Sequence, residues 1–573
     1  MDRRSFISNF LKSFLLIATP ISSKAFSLLR FNNKKYILVS MFESPPRWMF
    51  DSIIRPTKNH EFHDNEMITN EFSDLEKGVQ TKLNLYEYKN YLIPSIWKSE
   101  ITLSSGKTIK LSDLLDNSFL VRGVNMRQDG HPLNSMKLEA AAVGATSLGG
   151  MLAQNSNTHF PAIGISGVEA AKEKSLVNAF KTPNGDFAVS FNEVDKNKGS
   201  YIEQLFDAFG KTNPFTLKKK SVGESLSNII NKYTATNLDK EKNLLLDQKI
   251  KRIESLPIEK IKTEFETIKN KYSKIVTSSI QEKNISGVND RYISGLKLPQ
   301  TFKLKNKDEV IVDEYLGHYK LDDYYLGNVD LRDVFQKADI PTLSSQFAIA
   351  ELSLKYGLTN VVLFNVDPVS NLNFKDSVYI WDVRYKINGD EITFFSQKDE
   401  RYNSDGGEVL NIDGHNVGLY VGIIGYNLYF KAVAASLLEF REFLKSHSDI
   451  NGNFFDQTLI HLTSEFERAP RKDYGGTDHG WRGHTSTFIS GMVKNFEVVG
   501  NITARSKHVD LEKPMTWGEC GDIESLEREL SYNDIVTSIA SVLGIDSPAQ
   551  GKKVFELKDG KITAVIKDCK NLA

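Results

Sequence analysis

The stretch Tyr36-Ile37-Leu38-Val39-Ser40-Met41-Phe42 decides the fold, because a nearly unbroken apolar and β-branched run is typical of a strand buried on both faces. Three other runs of this kind occupy residues 119–124, 360–366 and 458–462. Between the strands, residues 133–154 and 420–445 have helical spacing and good helix formers. Strands that alternate with helices predict an α/β protein whose mostly parallel sheet is covered by helices on both faces.

The composition is that of a globular protein without a strong charge. Of 573 residues, 40% are hydrophobic and 25% are charged, and the length suggests about two to four domains. Lys and Arg total 72 against 73 Asp and Glu, so the net charge of -1 disfavours binding to nucleic acid or anionic lipid. The two cysteines, Cys520 and Cys569, allow either one disulfide or two buried thiols.

Residues 1–25 are typical of a secretory address. Arg3-Arg4-Ser5-Phe6-Ile7 is a twin-arginine pattern, an apolar stretch follows at 10–21, and Ser23-Lys24-Ala25 offers a cleavage site. The uncharged run 13–23 is shorter than the roughly 20 residues of a membrane span. We therefore predict a signal peptide, a mature start near Phe26 and a periplasmic or otherwise exported protein without a transmembrane span; the alternative is a buried amphipathic helix.

Two segments interrupt the α/β pattern, and they divide the predicted fold into the parts 26–198 and 298–573. Residues 199–297 are rich in Lys, Glu, Asn and Ser, and their apolar positions recur at gaps of 3, 4, 3, 4 and 3 from Ile258 to Ile275. This spacing predicts a helical insertion that either packs on the main body or binds a protein partner. A second, smaller insertion at 376–407 contains Asn388-Gly389, a common hairpin turn, between the apolar runs 379–381 and 392–395.

Several common catalytic signatures are absent from the sequence. It has no GxGxxG after a strand, no GxxxxGK[ST] loop, no GxSxG elbow and no HExxH helix. Since ligands of α/β sheets bind beyond the carboxyl ends of the strands, polar residues that follow each apolar run are the natural candidates. The densest group follows the run 458–462 and contains Glu465, Asp478, His479 and His484 among several glycines.

Carboxylates and imidazoles that converge in a glycine-rich loop are the usual ligands of a divalent cation. The alternative for this group is a solvated turn in which Asp478 caps a helix. Three further groups follow the same placement rule, and they contain Glu43 with Ser44, then Asn125, Arg127, Asp129 and His131, and finally Asp413 with His415. Each of them alone is more typical of an ordinary cap, but four groups at four strand ends favour a site. His461 alternates with apolar residues inside a strand, which predicts a core histidine.

The segment Ser464-Glu465-Phe466-Glu467-Arg468, followed by Gly476-Thr477-Asp478-His479-Gly480-Trp481 and by His484, resembles the SEFGR…GTDHGW…H signature of the exported bacterial family called domain of unknown function 1501. That family is sulfatase-like and belongs to the alkaline phosphatase superfamily. The twin-arginine pattern and a helix similar to 535–546 agree with the resemblance, which spans most of the chain between Tyr36 and Asp546 outside the two insertions.

The resemblance implies a three-layer α/β/α sandwich that holds one or two divalent metals at the strand ends. The expected metal ligands, with zinc, calcium, magnesium or manganese left open, are Glu43, His131, Asp413, His415, Glu465, Asp478, His479 and His484. Arg127 or Arg468 would clamp the substrate's oxygens, and Ser44 would be the nucleophile. The chain differs from the family where Glu43-Ser44-Pro45-Pro46 replaces a GGPS-like turn and where Ile412 and Gly414 flank Asp413.

The leading functional hypothesis is an exported metal-dependent hydrolase that acts on phosphate or sulfate esters of a small molecule or a polymer. The alternative is a catalytically silent envelope protein of the same fold that binds a protein or a cell-wall polymer through the helical insertion.

Overall fold

A ten-stranded sheet forms the centre of the fold, and strand β1, Lys35–Met41, lies in its middle. The computed structural model describes residues 33–57, 71–74, 79–140, 145–154, 156, 158, 160, 162–167, 180, 192–193, 202–204, 258–280, 293–297, 301–305, 311–315, 325–326, 329–330, 338–369, 384–387, 390–393, 419–449, 451–470, 477–480, 482–503 and 519–566. The predicted signal peptide lies outside these residues. All seven residues of β1 are buried, as expected for a strand covered on both faces.

In chain order, the other strands of this sheet are β2 (Ser118–Asn125), β3 (Ile163–Ser166), β4 (Asn192–Glu193), β5 (Val361–Val366), β6 (Thr458–Ser464), β7 (His484–Ile489), β8 (Glu497–Val499), β9 (Asp522–Ile523) and β10 (Arg528–Ser531). Their order across the sheet is β4-β3-β5-β1-β6-β7-β2-β10-β9, and β8 pairs with β2 beside this path.

Most neighbouring strands of the sheet are parallel, as the sequence predicts. Strand β1 runs parallel to β5 and to β6, and β3 runs parallel to β5. Strand β7 is antiparallel to both of its neighbours, β6 and β2, so that β2 points the same way as β6. Consequently β1, β2, β3, β5 and β6 all end at one edge of the sheet.

Helices cover both faces of the sheet, which makes the protein compatible with an α/β sandwich. The helices are α1 (His131–Glu139), α2 (Leu148–Gln154), α3 (Ile258–Ile280), α4 (Leu343–Lys355), α5 (Leu419–Ser446) and α6 (Tyr532–Leu543). Side chains alternate along β1, so Ile37 and Val39 join the core beneath α3, α4 and α5. Tyr36 and Leu38 join the second core, beneath α2 and α6.

The predicted helical stretch 420–445 is a single helix, α5, whereas the predicted stretch 133–154 is divided into α1 and α2. The first of these two helices ends at Ala140, which has an extended backbone. The buried carboxylate of Glu139 then accepts a hydrogen bond from the backbone N–H of Gly149, at 3.0 Å, in the first turn of α2. The amino end of α1 lies at the edge of the sheet where β1 and β6 end, because its first residue, His131, is close to Glu465.

Helix α3, in the predicted helical insertion, packs on the main body through its apolar stripe. Ile261, Phe265 and Tyr272 are almost completely buried against α4 and α5. The hydroxyl of Tyr272 and the ammonium of Lys271 both donate to Glu351 Oε2 on α4, each at 2.8 Å. The stripe is therefore part of the core and is not a surface for a partner.

Smaller elements surround the main body. The remaining strands form antiparallel pairs and small sheets, namely Arg55–Pro56 with Tyr91–Pro94 and Leu85–Tyr88; Glu71–Asp74 with Val79–Leu83 and Ile293–Lys297; Glu100–Thr102 with Thr108–Lys110; Thr301–Lys305 with Ile311–Tyr315, Arg384–Ile387 and Asp390–Thr393; Tyr325–Leu326 with Val329–Asp330; Ser448–Asp449 with Gly452–Asn453; Glu467–Pro470 with Thr477–Gly480; Ile502–Thr503 with Glu519–Cys520; and Phe555–Lys558 with Lys561–Ala564. The short 3₁₀ helices are Arg47–Met49, Ser95–Lys98, Leu111–Asn117, Phe455–Gln457 and Glu524–Leu526.

The strands that flank Asn388-Gly389 are paired antiparallel, with Ile387 opposite Asp390, as the predicted hairpin requires. The first strand of the hairpin begins at Arg384. The sequence predicts it earlier, at the apolar run 379–381, which lies outside the described residues. Cys520 is buried, and Cys569 lies outside the described residues. Within the described part of the chain, no helix combines the length and apolar character that crossing a bilayer requires.

Truncation of the stripe on α3 should destabilise the whole protein. We expect Phe265→Ala to lower the free energy of unfolding by about 3 kcal/mol, because it removes a buried aromatic ring and leaves a cavity. Urea denaturation would measure the change, with Glu266→Ala on the exposed side of the same helix as the control. Equal stability of the two variants would contradict the packing described for α3.

Candidate active site

The turn after β1 is held in an unusual backbone conformation by one carboxylate. Glu43 and Ser44 have φ angles of 61° and 49°, in the left-handed region that residues other than glycine seldom adopt. The carboxylate of Glu465, which follows β6, accepts the backbone N–H groups of both residues at 3.1 Å. The hydroxyl of Ser44 donates to the same carboxylate at 2.6 Å. Glu465 therefore joins the ends of β1 and β6.

Glu465 is completely buried and remains ionised at neutral pH. Burial would raise its pKa, but the neighbouring His131 and the hydroxyl of Ser44 outweigh burial, so that the pKa lies below its usual value. His131 is the first residue of α1, and its Nδ1 lies 3.8 Å from Glu465 Oε1. The imidazole of His131 therefore lies beside the carboxylate of Glu465 at the strand ends.

A second imidazole faces the first one. His479 lies in the hairpin that pairs Glu467–Pro470 with Thr477–Gly480, and its Nδ1 is hydrogen-bonded to the carboxylate of Asp129. The rings of His131 and His479 meet edge to face with their centroids 4.9 Å apart, and Phe466 packs against both rings. We call these two carboxylate–imidazole pairs, Glu465 with His131 and Asp129 with His479, the strand-end cluster.

The strand-end cluster contains a neutral imidazole. Burial and the nearby guanidinium of Arg468 lower the pKa of His479 to about 4, although Asp129 opposes the shift. Neutral imidazole is the form that can ligate a metal or accept a proton.

Arg468 supports the turn after β1. It lies directly opposite His479 in the hairpin and is almost completely buried. Its Nε donates to the carbonyl oxygens of Glu43 and Ser44 at 3.3 and 3.2 Å, and its Nη2 donates to Glu43 O at 3.1 Å. Arg468 thus binds the carbonyl groups of the same two residues whose N–H groups bind Glu465.

Another buried ion pair lies behind the turn. The guanidinium of Arg47 pairs with Asp51, and it also donates to the carbonyl oxygens of Leu462 and Thr485, at 3.3 and 2.6 Å. The carboxyl of Glu467 accepts the backbone N–H groups of Arg47 and Trp48, at 2.7 and 3.1 Å. Arg47 thus ties β6 to β7 beneath the site, a role that its sequence position does not reveal.

Asp367, which the sequence analysis did not single out, also lies at the strand ends. Asp367 directly follows β5 and is buried. The backbone of Gly167, after β3, passes so close that a Cβ there would lie 2.0 Å from Asp367 Oδ1. The signal was present, because Asp367 comes directly after the predicted strand 360–366.

The remaining predicted site residues are distributed as follows. Arg127 is exposed, with its backbone N–H bonded to Asn125 Oδ1 at 2.7 Å. His484 is buried within the sheet, and its Nε2 lies 3.1 Å from the hydroxyls of Thr463 and Ser486. Asp413, His415 and the side chain of Asp478 lie outside what the structure describes.

The prediction that His461 is a core histidine is confirmed. His461 is completely buried between the hydroxyls of Tyr36 and Ser486, at 3.1 and 2.9 Å.

Ser44, the predicted nucleophile, is completely buried, and its hydroxyl also accepts the backbone N–H of Phe466 at 3.2 Å. Among the described residues, no three His, Cys, Asp or Glu side chains are grouped so that they could hold a metal ion.

The low pKa of His479 is directly measurable. In an NMR titration we expect its ring to protonate near pH 4, and the signal can be assigned by its absence in His479→Gln. Because this pKa lies below the usual 6.5, the unfolded chain binds the extra proton first, so the stability that neutral His479 contributes decreases as the pH falls from 6.5 to about 4. A midpoint near 6.5 would show that the ring is neither buried nor close to Arg468.

Comparison of the chain with protein-family models, with curated proteins and with solved structures gave no match.

Proposed function

We propose that the protein is an exported, metal-dependent hydrolase of phosphate or sulfate esters, with an α/β/α sandwich of the alkaline phosphatase kind. The observation that carries the proposal is the strand-end cluster, in which two carboxylate–imidazole pairs face each other beyond the ends of β1, β2 and β6. The resemblance of segment 464–484 to a sulfatase-like family supports it. The edge of the sheet is also the place where α/β proteins bind their ligands.

The chemistry of the strand-end cluster suits a divalent cation. Histidines that ligate metals usually hold a carboxylate at their other ring nitrogen, which fixes the ring and increases its basicity. With Nδ1 of His131 and of His479 turned to carboxylates, the ligating atom of each ring would be Nε2. Two imidazoles do not complete a site, and Asp413, His415 and Asp478 stay the predicted further ligands. The bound cation would neutralise the anionic oxygens of the ester.

The reaction needs one proton transfer, from the attacking water to the leaving oxygen of the ester. Nε2 of His131 and of His479 would be occupied by the cation, whose positive charge would help the attacking water to release its proton. As the new bond from oxygen to phosphorus or sulfur forms, the ester bond breaks, and the same proton passes to the leaving oxygen of the alcohol. We assign the attack to water and not to Ser44, because the Ser44 hydroxyl is buried and holds both Glu465 and Phe466.

One observation favours the alternative, a catalytically silent binding protein. Glu465 and Arg468 direct their described hydrogen bonds to the turn after β1, and the hydroxyl of Ser44 in that turn bonds back to Glu465 and Phe466, as in a purely structural contact. The stripe of α3 is buried in the core, so a partner of such a protein would bind to other parts of the insertion 199–297.

Elemental analysis and an ester-hydrolysis assay would separate these two functions. We expect the wild-type protein to bind about one or two equivalents of divalent metal and to hydrolyse p-nitrophenyl phosphate or sulfate. His131→Ala and His479→Ala should lose metal and reduce kcat by about 100-fold or more. His447→Ala, at the far end of α5, is the control. A wild-type protein that neither retains an added metal nor hydrolyses either ester would refute the hydrolase and leave the binding protein.

Export is tested separately. Replacing Arg3 and Arg4 by lysine preserves the charge but removes the twin-arginine address, which is read by a receptor. We expect the double variant to accumulate in the cytoplasm of the expressing bacterium, whereas the wild-type protein is found in the periplasmic fraction. Identical fractionation of the two proteins would exclude this route.

A further inference from the structure

The side chain of Tyr429 on α5 is buried together with its hydroxyl. Only 1% of the residue is exposed, and its hydroxyl has no hydrogen-bond partner among the described residues. A buried hydroxyl without a partner costs stability, which a phenylalanine ring of the same shape would avoid. The next residue, Phe430, stacks on Phe50 at a centroid distance of 4.5 Å, which shows that a phenylalanine without a hydroxyl packs in this part of α5.

Tyr429 lies at the level of the strand-end site. Helix α5 ends at Ser446, and the following residue, His447, accepts the backbone N–H of Phe454 just before β6 begins at Thr458. From Ser446 back to Tyr429 the helix rises by about 25 Å, which is close to the length of the seven-residue strand β6.

The carboxylates whose charge the hydroxyl of Tyr429 experiences belong to Asp367, Glu465 and Glu43, which follow β5, β6 and β1. Burial, and then these carboxylates, raise the pKa of Tyr429 well above its usual value, so its proton is retained throughout the physiological range. Helix α5 thus presents a hydrogen-bond donor to the site, while α1 and the hairpin bring His131 and His479.

We infer that Tyr429 is a substrate-contacting residue whose hydroxyl donates a hydrogen bond to an oxygen of the bound phosphate or sulfate group. The inference rests on the proposed function, because it assumes an ester with anionic oxygens. An unused donor in a preformed site requires no reorganisation when the ligand arrives, and it strengthens as negative charge develops on the oxygen that it contacts.

The test compares Tyr429→Phe with a matched variant, Tyr272→Phe. Tyr272 is equally buried, but its hydroxyl donates to Glu351 at 2.8 Å on α4, away from the strand ends. Binding of inorganic phosphate and of sulfate would be measured by calorimetry on the metal-loaded full chain, together with the metal content and the melting temperature of each variant.

We expect Tyr429→Phe to bind the better of the two anions about 10-fold more weakly, as for the loss of one hydrogen bond to a charged group. Its metal content should be unchanged, and its melting temperature should be unchanged or higher. Tyr272→Phe should show the opposite pattern, with a lower melting temperature and unchanged anion binding.

Three results would overturn the inference. Wild-type affinity in Tyr429→Phe would show that the hydroxyl does not contact the anion. A lower melting temperature of this variant would show that the hydroxyl already has a structural partner, and a lost metal would make Tyr429 a ligand of the cation. If the wild-type protein itself binds neither anion, the proposed function fails first, and the inference fails with it.

Discussion

The carboxylate of Glu465 is the interaction on which the strand-end site depends. It is buried and ionised, and it accepts two backbone N–H groups and one hydroxyl from the turn after β1 while it lies beside His131. An ionised carboxylate is stable in the interior only when such donors surround it. The left-handed conformations of Glu43 and Ser44 are costly in their own right, and they persist because Glu465 and Arg468 hold the turn from two sides. The site is therefore rigid before any ligand binds.

This rigidity bears on the choice between a hydrolase and a silent protein. The residues that hold the turn are not available to carry out chemistry, and they include Ser44, the nucleophile suggested by the family resemblance. The groups left for chemistry are the imidazoles of His131 and His479, which lie beside Glu465 and Asp129. In the proposed hydrolase, the residues that hold the turn would keep the geometry of the site constant to within about half an ångström, and the two imidazoles would take part in the reaction.

Much of the fold could be predicted from the sequence, because buried parallel strands and long amphipathic helices have strong periodic signals. The strands β1, β2, β5 and β6 and the helix α5 are confirmed at their predicted positions, and the apolar stripe from Ile258 to Ile275 marks α3. The family resemblance left the choice between His479 and His484 open. His484 is the first residue of β7, and side chains alternate along a strand, so His484 lies on the same face of the sheet as Ser486. The sequence pattern of this strand could therefore have predicted that His484 is buried.

Other parts of the site have no signal in the sequence. Left-handed backbone at Glu43 and Ser44 cannot be inferred from residue types that seldom adopt it. Arg47 acts through tertiary contacts with partners hundreds of residues away. The burial of the Tyr429 hydroxyl, likewise, depends on how α5 packs on the sheet. Asp367 was the exception, since the rule that polar residues follow buried strands applied to it directly.

The position of β1 has a consequence for how the chain folds during synthesis. The strand leaves the ribosome early, but its two neighbours in the sheet, β5 and β6, begin at Val361 and Thr458. Until β5 has been made, β1 is an apolar segment with both edges unpaired, and one edge stays unpaired until β6 follows; unpaired segments of this type aggregate readily. The nascent chain is therefore exposed to aggregation over the long interval between β1 and β6, and a product truncated before Thr458 would leave one edge of its central strand open.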